Sequence, residues 1–222
     1  MELKNAHACF GGAQRYYEHH SSEIGLAMKF SVYLPPKAVM GEKVPALLYL
    51  AGLTCTEETF MIKAGAQRLA SELNIALICP DTSPRGAGLA GEADSWDFGV
   101  GAGFYLDATT KPWALHWRME SYILNDLLPL VGSKLPVDLQ HLGIFGHSMG
   151  GHGALTLALR HPGRFKSVSA FAPIANPLNC PWGHKAFSGY LGEDKAEWAR
   201  HDASELIGAQ ASAPYPAGIL ID

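Results

Sequence analysis

Charge is scarce in this chain, with only 17% of its 222 residues being Asp, Glu, Lys or Arg. The 17 basic and 21 acidic side chains leave a net charge of −4 and form no block of one sign, so nucleic acid is not an expected partner. Long apolar runs are lacking as well. The most weakly charged stretch, Ser167 to Gly192, carries Pro173, Pro177, Pro181 and Lys185, which argues against a lipid-spanning helix and a membrane partner. Met1-Glu2-Leu3-Lys4-Asn5 has no basic segment leading into an apolar one, so no secretory signal is read there. The four cysteines, at 9, 55, 79 and 180, include no Cys-x-x-Cys pair. Free thiols in a reducing, cytoplasmic compartment are expected.

What is present is apolar. Hydrophobic residues make up 48% of the chain, enough to bury one core, and the length suits a single domain spanning 1–222. Met28 to Leu34 alternates apolar and polar residues, which predicts a strand with one covered face, expected at the outside of a sheet. Val44–Leu50 and Ile75–Cys79 are almost continuously apolar, as central parallel strands are when helices cover both faces. Between them Thr56 is expected to cap a crossover helix that begins with Glu57 and Glu58 and continues through Phe60, Ala64 and Leu69. A second helix is predicted over His116–Val131, with Glu120, Ile123, Leu127 and Val131 on one stripe and Gly132 and Pro136 stopping it.

Further strands are predicted at Leu139–Phe145, Val168–Phe171 and Ile219–Ile221, and helices at Met149–Leu159 and Ala196–Ile207. The stretch leading to Gly192 reads as a proline-rich loop with a short helix. This alternation predicts an α/β fold, a mostly parallel sheet with helices on both faces.

Gly146-His147-Ser148-Met149-Gly150 spells G-x-S-x-G, a modest signal alone. Its context is strand, turn and helix, the setting in which such a turn lifts a serine to the carboxyl edge of a sheet as a nucleophile. The Met149 N–H at the helix start is one natural oxyanion donor, and the loop after Leu50 offers the Leu53 N–H as the second. Ser148 then needs a histidine to take its proton and an acid to orient that histidine, both downstream in this fold. The downstream histidines are His152, His161, His184 and His201. None falls in a loop after a final strand, and packing or surface roles are expected of them.

Around Ser148 the chain resembles the S-formylglutathione hydrolases, the esterase D family of serine hydrolases with the α/β-hydrolase fold. The likeness runs from end to end. It is carried by Cys9-Phe10-Gly11-Gly12, Gly52-Leu53-Thr54-Cys55-Thr56, the elbow through Gly153, Phe171-Ala172-Pro173-Ile174, Cys180-Pro181-Trp182-Gly183 and Phe187 to Gly192. The resemblance implies hydrolysis of S-formylglutathione to glutathione and formate, a step in formaldehyde removal, through a serine acyl-enzyme. It also implies Ser148 as nucleophile, Leu53 and Met149 at the oxyanion hole, Cys55 near the active site, Trp182 beside the acyl site, and a homodimer. The triad acid and histidine are expected beyond Asp222, so that the domain is read as C-terminally incomplete, without its last strand and helix. Asp222 itself matches the residue closing the strand before the acid. The competing expectations are an impaired remnant that at most binds acyl thioesters, with an exposed sheet edge, and a general small-ester carboxylesterase.

Two other signals are weaker. Gly86-Ala87-Gly88-Leu89-Ala90-Gly91 matches G-x-G-x-x-G, but Asp81 to Arg85 separate it from the strand and no helix pattern follows; a glycine-rich loop is expected. Asp94 and Asp97 beyond it are read as a solvated face or as contacts for a substrate amine. Ten histidines are present, yet none shows ligand spacing. No metal and no cofactor are expected, since an acyl-serine mechanism needs neither.

Overall fold

The computed structural model describes residues 1–212, 214–215 and 217–222. Among the described residues eight strands form one sheet in the order β1-β2-β3-β5-β4-β6-β7-β8. They are β1 (Glu2–Cys9), β2 (Gly12–His20), β3 (Ala27–Leu34), β4 (Val44–Leu50), β5 (Ala76–Pro80), β6 (Val137–His147), β7 (Val168–Phe171) and β8 (Leu220–Ile221). Strands β5, β4, β6, β7 and β8 run parallel to their neighbours, while β1, β2, β3 and β5 pair antiparallel. The mostly parallel α/β sheet expected from the sequence is therefore present.

The expected outer position of β3 is not. Its residues Phe30 to Leu34 are all buried, because β1 and β2 add a hairpin beyond it. Phe10 and Gly11, with φ of 46° and 72°, make the two-residue turn of that hairpin. Seven of the eight residues of β1 are exposed, so no buried face marks it in the sequence. At the other edge β8 has β7 as its neighbour, Leu220 and Ile221 are exposed, and Leu155, Leu159, Ile207 and Ile219 line an apolar depression beside it.

The helices are α1 (Pro36–Val39), α2 (Thr59–Lys63), α3 (Gln67–Glu72), α4 (Met119–Ser121), α5 (Leu128–Lys134), α6 (Met149–Arg160), α7 (Pro181–Leu191), α8 (Lys195–Ala199) and α9 (Ala203–Gly208). The expected crossover helix is divided into α2 and α3 at Gly65, whose φ of 64° ends a helix. Thr56 caps a turn rather than that helix, its Oγ1 accepting from the Glu58 N–H at 3.3 Å. A wide-turn segment, Tyr122–Leu127, joins α4 to α5, just before Pro129, which lacks the N–H for a regular turn. Glu120, Ile123, Leu127 and Val131 are buried as the stripe predicts, but the helix continues through Gly132 to Lys134. The helix expected at Ala196–Ile207 is broken at buried Asp202, which accepts the Ser204 and Glu205 N–H groups at 2.9 and 3.2 Å and so starts α9.

The larger core lies between one sheet face and α5, α6 and α7, around Leu48, Ile78, Ile144, Leu157 and Phe187. A smaller cluster, Tyr33, Met61, Ala70, Leu77 and Cys79, fills the space under α2 and α3. Among the described residues no helix is long and apolar enough to cross a membrane.

Candidate active site

Strand β6 ends at His147 and α6 begins at Met149, which leaves Ser148 alone at the turn with φ 57° and ψ −119°. A serine pays to sit there, and the surrounding backbone makes the conformation unavoidable. A Cβ on Gly146 would lie 2.1 Å from the Gly150 carbonyl oxygen, and one on Gly150 would lie 1.9 Å from that of Leu50. Both glycines are therefore required by close passage of β4, β6 and α6. The Ser148 N–H donates to the Phe171 carbonyl at 2.9 Å, and the Ser148 carbonyl accepts from the His152 N–H at 3.0 Å. The side chain is left half-buried at the carboxyl edge of the parallel strands.

The loop after β4 passes beside it. A Cβ on Gly52 would sit 3.3 Å from the Ser148 Cβ, which places the following residue, Leu53, next to the serine. Among the described residues neither the Leu53 nor the Met149 N–H donates to a protein acceptor. Met149 opens a twelve-residue helix, whose positive end favours negative charge at that point. Two free amides and a helix terminus beside one hydroxyl can stabilise an oxyanion on a carbonyl attacked by Ser148.

Cys55 is half-buried two residues beyond Leu53, its N–H donating to the Gly52 carbonyl at 3.3 Å. Trp182 does not lie in a loop. It stands in the first turn of α7, exposed, with its ring edge-on to Trp96 at 6.2 Å between centroids. Pro181 at the first helical position and Cys180, whose sulfur accepts the Gly183 N–H at 3.4 Å, start that helix. Proline in this place is a helix-start signal, since its missing N–H falls where no intrahelical acceptor exists.

None of the four downstream histidines bonds Ser148 Oγ, which has no hydrogen-bond partner among the described residues; three are engaged elsewhere, and the ring nitrogens of the fourth, His152, are buried without a partner there. His152 is buried between Phe104 and Phe187, with ring centroids 6.0 and 6.1 Å away. Burial pushes its pKa down to about 4. His161 Nε2 meets Glu120 at 2.7 Å and His184 Nε2 meets the Leu178 carbonyl at 2.5 Å. His201 is held to about 2, first by burial and then by Arg160, whose Nη1 lies 2.7 Å from its Nδ1. Asp222 extends the β7–β8 ladder, its N–H donating to Ala170 at 3.0 Å and its carbonyl accepting from Ala172 at 2.6 Å.

Gly86 to Gly91 forms an irregular loop with no helix behind it. Asp94 is exposed, but Asp97 is not the solvated carboxylate expected. It is nearly buried and is bonded to Lys185 of α7 and to Ser95. The Lys185 hydrogen bond holds its carboxyl below the usual range. Among the described residues no three His, Cys, Asp or Glu side chains converge as metal ligands.

The esterase family described as "Putative esterase" matches residues 21–222. The S-formylglutathione hydrolase of Mus musculus is 54% identical over 224 residues, covering 100% of this chain and 78% of the relative. That of Bos taurus is 55% identical over 225 residues, covering 100% of this chain and 78% of its own. The solved S-formylglutathione hydrolase from Agrobacterium tumefaciens superposes with a TM-score of 0.95 at 47% identity, over 100% of this chain and 79% of that one.

Proposed function

This chain belongs to the S-formylglutathione hydrolase family of esterases, and from that premise we propose that Ser148 is its nucleophile. The reaction is hydrolysis of S-formylglutathione to glutathione and formate, which serves formaldehyde detoxification in the family. Ser148 Oγ attacks the thioester carbonyl and gives up its proton. The Leu53 and Met149 N–H groups stabilise the oxyanion, and the C–S bond breaks to release the glutathione thiolate. Water then attacks the formyl-serine, and formate departs. The observation that carries this assignment is the left-handed Ser148 between β6 and α6, beside two amides without acceptors among the described residues.

Proton transfer needs a histidine other than these four, none of which bonds Ser148 Oγ among the described residues. We place it, with its orienting acid, after β8, in the order serine, acid, histidine. Cys55 is assigned to the rim of the site without a covalent role, and Trp182 to the wall facing the acyl group. The reading extends to one α/β-hydrolase domain, a homodimer and a cytoplasmic location, the last favoured by four free cysteines.

The test is turnover of S-formylglutathione with mass spectrometry of the quenched protein. A formyl adduct on the peptide bearing Ser148, lost in Ser148→Ala together with turnover, is the expected result. The lone Ser148 Oγ supports a second reading, that the 222 residues bind acyl thioesters without hydrolysing them. Saturable binding without glutathione release would favour that reading, and small aryl esters turned over in preference would favour a general carboxylesterase.

A further inference from the structure

We propose that the Asp81–Arg85 ion pair is a positioning device for the oxyanion loop, gripping the Cys55 carbonyl and thereby holding the Leu53 N–H in place. The inference rests on the oxyanion role proposed for Leu53. The loop needs holding because Thr54 has a φ of 67°, a conformation that a β-branched residue keeps only when its surroundings impose it.

The restraints come from both ends of the turn. At its start the Ala51 carbonyl accepts the hydroxyl of buried Tyr105 at 2.8 Å. In the middle the Thr54 N–H donates to the Gly101 carbonyl at 2.9 Å. At its end the Cys55 carbonyl accepts Thr82 Oγ1 at 2.5 Å and Arg85 Nη2 at 3.2 Å. Leu53 therefore sits between two carbonyls that are pinned from outside the loop. Strands β4 and β5 are parallel neighbours, so their carboxyl ends lie side by side and residues after one can reach residues after the other.

Arginine suits this post for a geometric reason. Its Nε and Nη2 bind Asp81 Oδ2 and Oδ1 at 2.7 and 2.9 Å, and Nη2 retains a second hydrogen for the Cys55 carbonyl. A lysine offers a single point charge and cannot keep both directions. Asp81 is itself fixed: its side chain is 4% exposed, and Oδ1 accepts the Thr82 N–H at 2.7 Å. Arg85, by contrast, is 38% exposed along its side chain and borders a depression of about 180 Å³ shared with Glu18, Lys29 and Ser83. Removing it opens a place that solvent and a free guanidinium ion can enter.

The experiment compares the full chain with Arg85→Ala, Arg85→Lys and a control, Arg68→Ala, whose exposed partner Glu72 lies on α3. Amide hydrogen exchange is read residue by residue, alongside hydrolysis of S-formylglutathione. In Arg85→Ala, exchange at the bonded amides of Thr54 and Cys55 is expected to quicken about tenfold or more while β4 and β6 amides keep their protection. On the order of 10- to 100-fold is lost from kcat with KM within about twofold, as for a misplaced donor. Free guanidinium restores part of the loss, Arg85→Lys does not, and the control behaves as wild type. Unchanged exchange at Thr54 and Cys55 overturns the proposal, as does a uniform loss of protection across the sheet. If wild type and Ser148→Ala alike release no glutathione, the hydrolase reading fails, and the exchange measurement still decides whether Arg85 holds the loop.

Discussion

The elbow and the rim above it are built on opposite principles. At the elbow, β4, β6 and α6 meet backbone to backbone, with Gly146 and Gly150 admitting no side chain. At the rim, the 95–103 loop and α7 are joined through side chains. Phe98 stacks on Tyr190 at 4.4 Å and meets Trp113 at 4.7 Å, the Tyr190 hydroxyl bridges Gly99 and Ala102, and Lys185 pairs with Asp97. Backbone packing tolerates no addition, whereas side-chain packing tolerates graded loss. The serine is thus set rigidly, and the surface over it is adjustable.

The largest expected effect is on the elbow. Gly150→Ala forces a methyl against the Leu50 carbonyl, and about 4 kcal/mol or more of stability is lost, read as a collapse of the urea midpoint or of soluble yield. Wild-type stability from this change would mean that β4 and α6 separate easily and that the contrast is false.

Acid comes next and separates the two regions by pH. His152, lowered to about 4, is neutral in the fold and binds a proton more readily once unfolded. Its contribution is therefore complete above about 6.5 and is lost as pH falls towards 4, roughly 3 kcal/mol in total. Asp97 is depressed, so its contribution is present above its unfolded value and is lost only below about pH 4. Urea midpoints measured between pH 7 and 4 should fall, and because His201 is also held neutral, His152→Leu should remove about half of that slope while Asp97→Asn leaves it unchanged. An unchanged slope in His152→Leu would assign the acid lability elsewhere.

Within the rim, Tyr190→Phe strands the Gly99 N–H and the Ala102 carbonyl, at about 1–3 kcal/mol, with proteolysis of the 95–103 loop as the readout. Lys185→Ala should cost about 1 kcal/mol or less, because the lysine is 47% exposed. Its expected mark is a severalfold rise in KM for the acyl-glutathione with kcat retained. A matching fall in kcat would show that the rim also sets the geometry at Ser148.

Legibility in the sequence follows the same division. Strands β4, β6 and β7 and the turn at Ser148 were readable because continuous apolar runs and spaced glycines are local patterns. The β1–β2 hairpin was not, since an edge strand with polar exposed residues carries no alternation to detect. The short helix expected before Gly192 is the eleven-residue α7, its extent obscured by the prolines although Pro181 opens it. Asp97 was misread as solvated because its partner lies 88 residues away. The grip of Arg85 on the Cys55 carbonyl was invisible for the same reason, spanning 30 residues between two loops.

By itself, then, the sequence determined which segments are buried in the sheet and where the chain must turn at a serine, because burial and backbone sterics act over a few neighbouring residues. Tertiary structure alone decided which strands close the antiparallel edge, which histidines are withdrawn from Ser148, and what holds Thr54 in its left-handed turn. Those outcomes depend on partners brought together by strand order, and a hydrogen bond between residues distant in sequence exists only once that order is established.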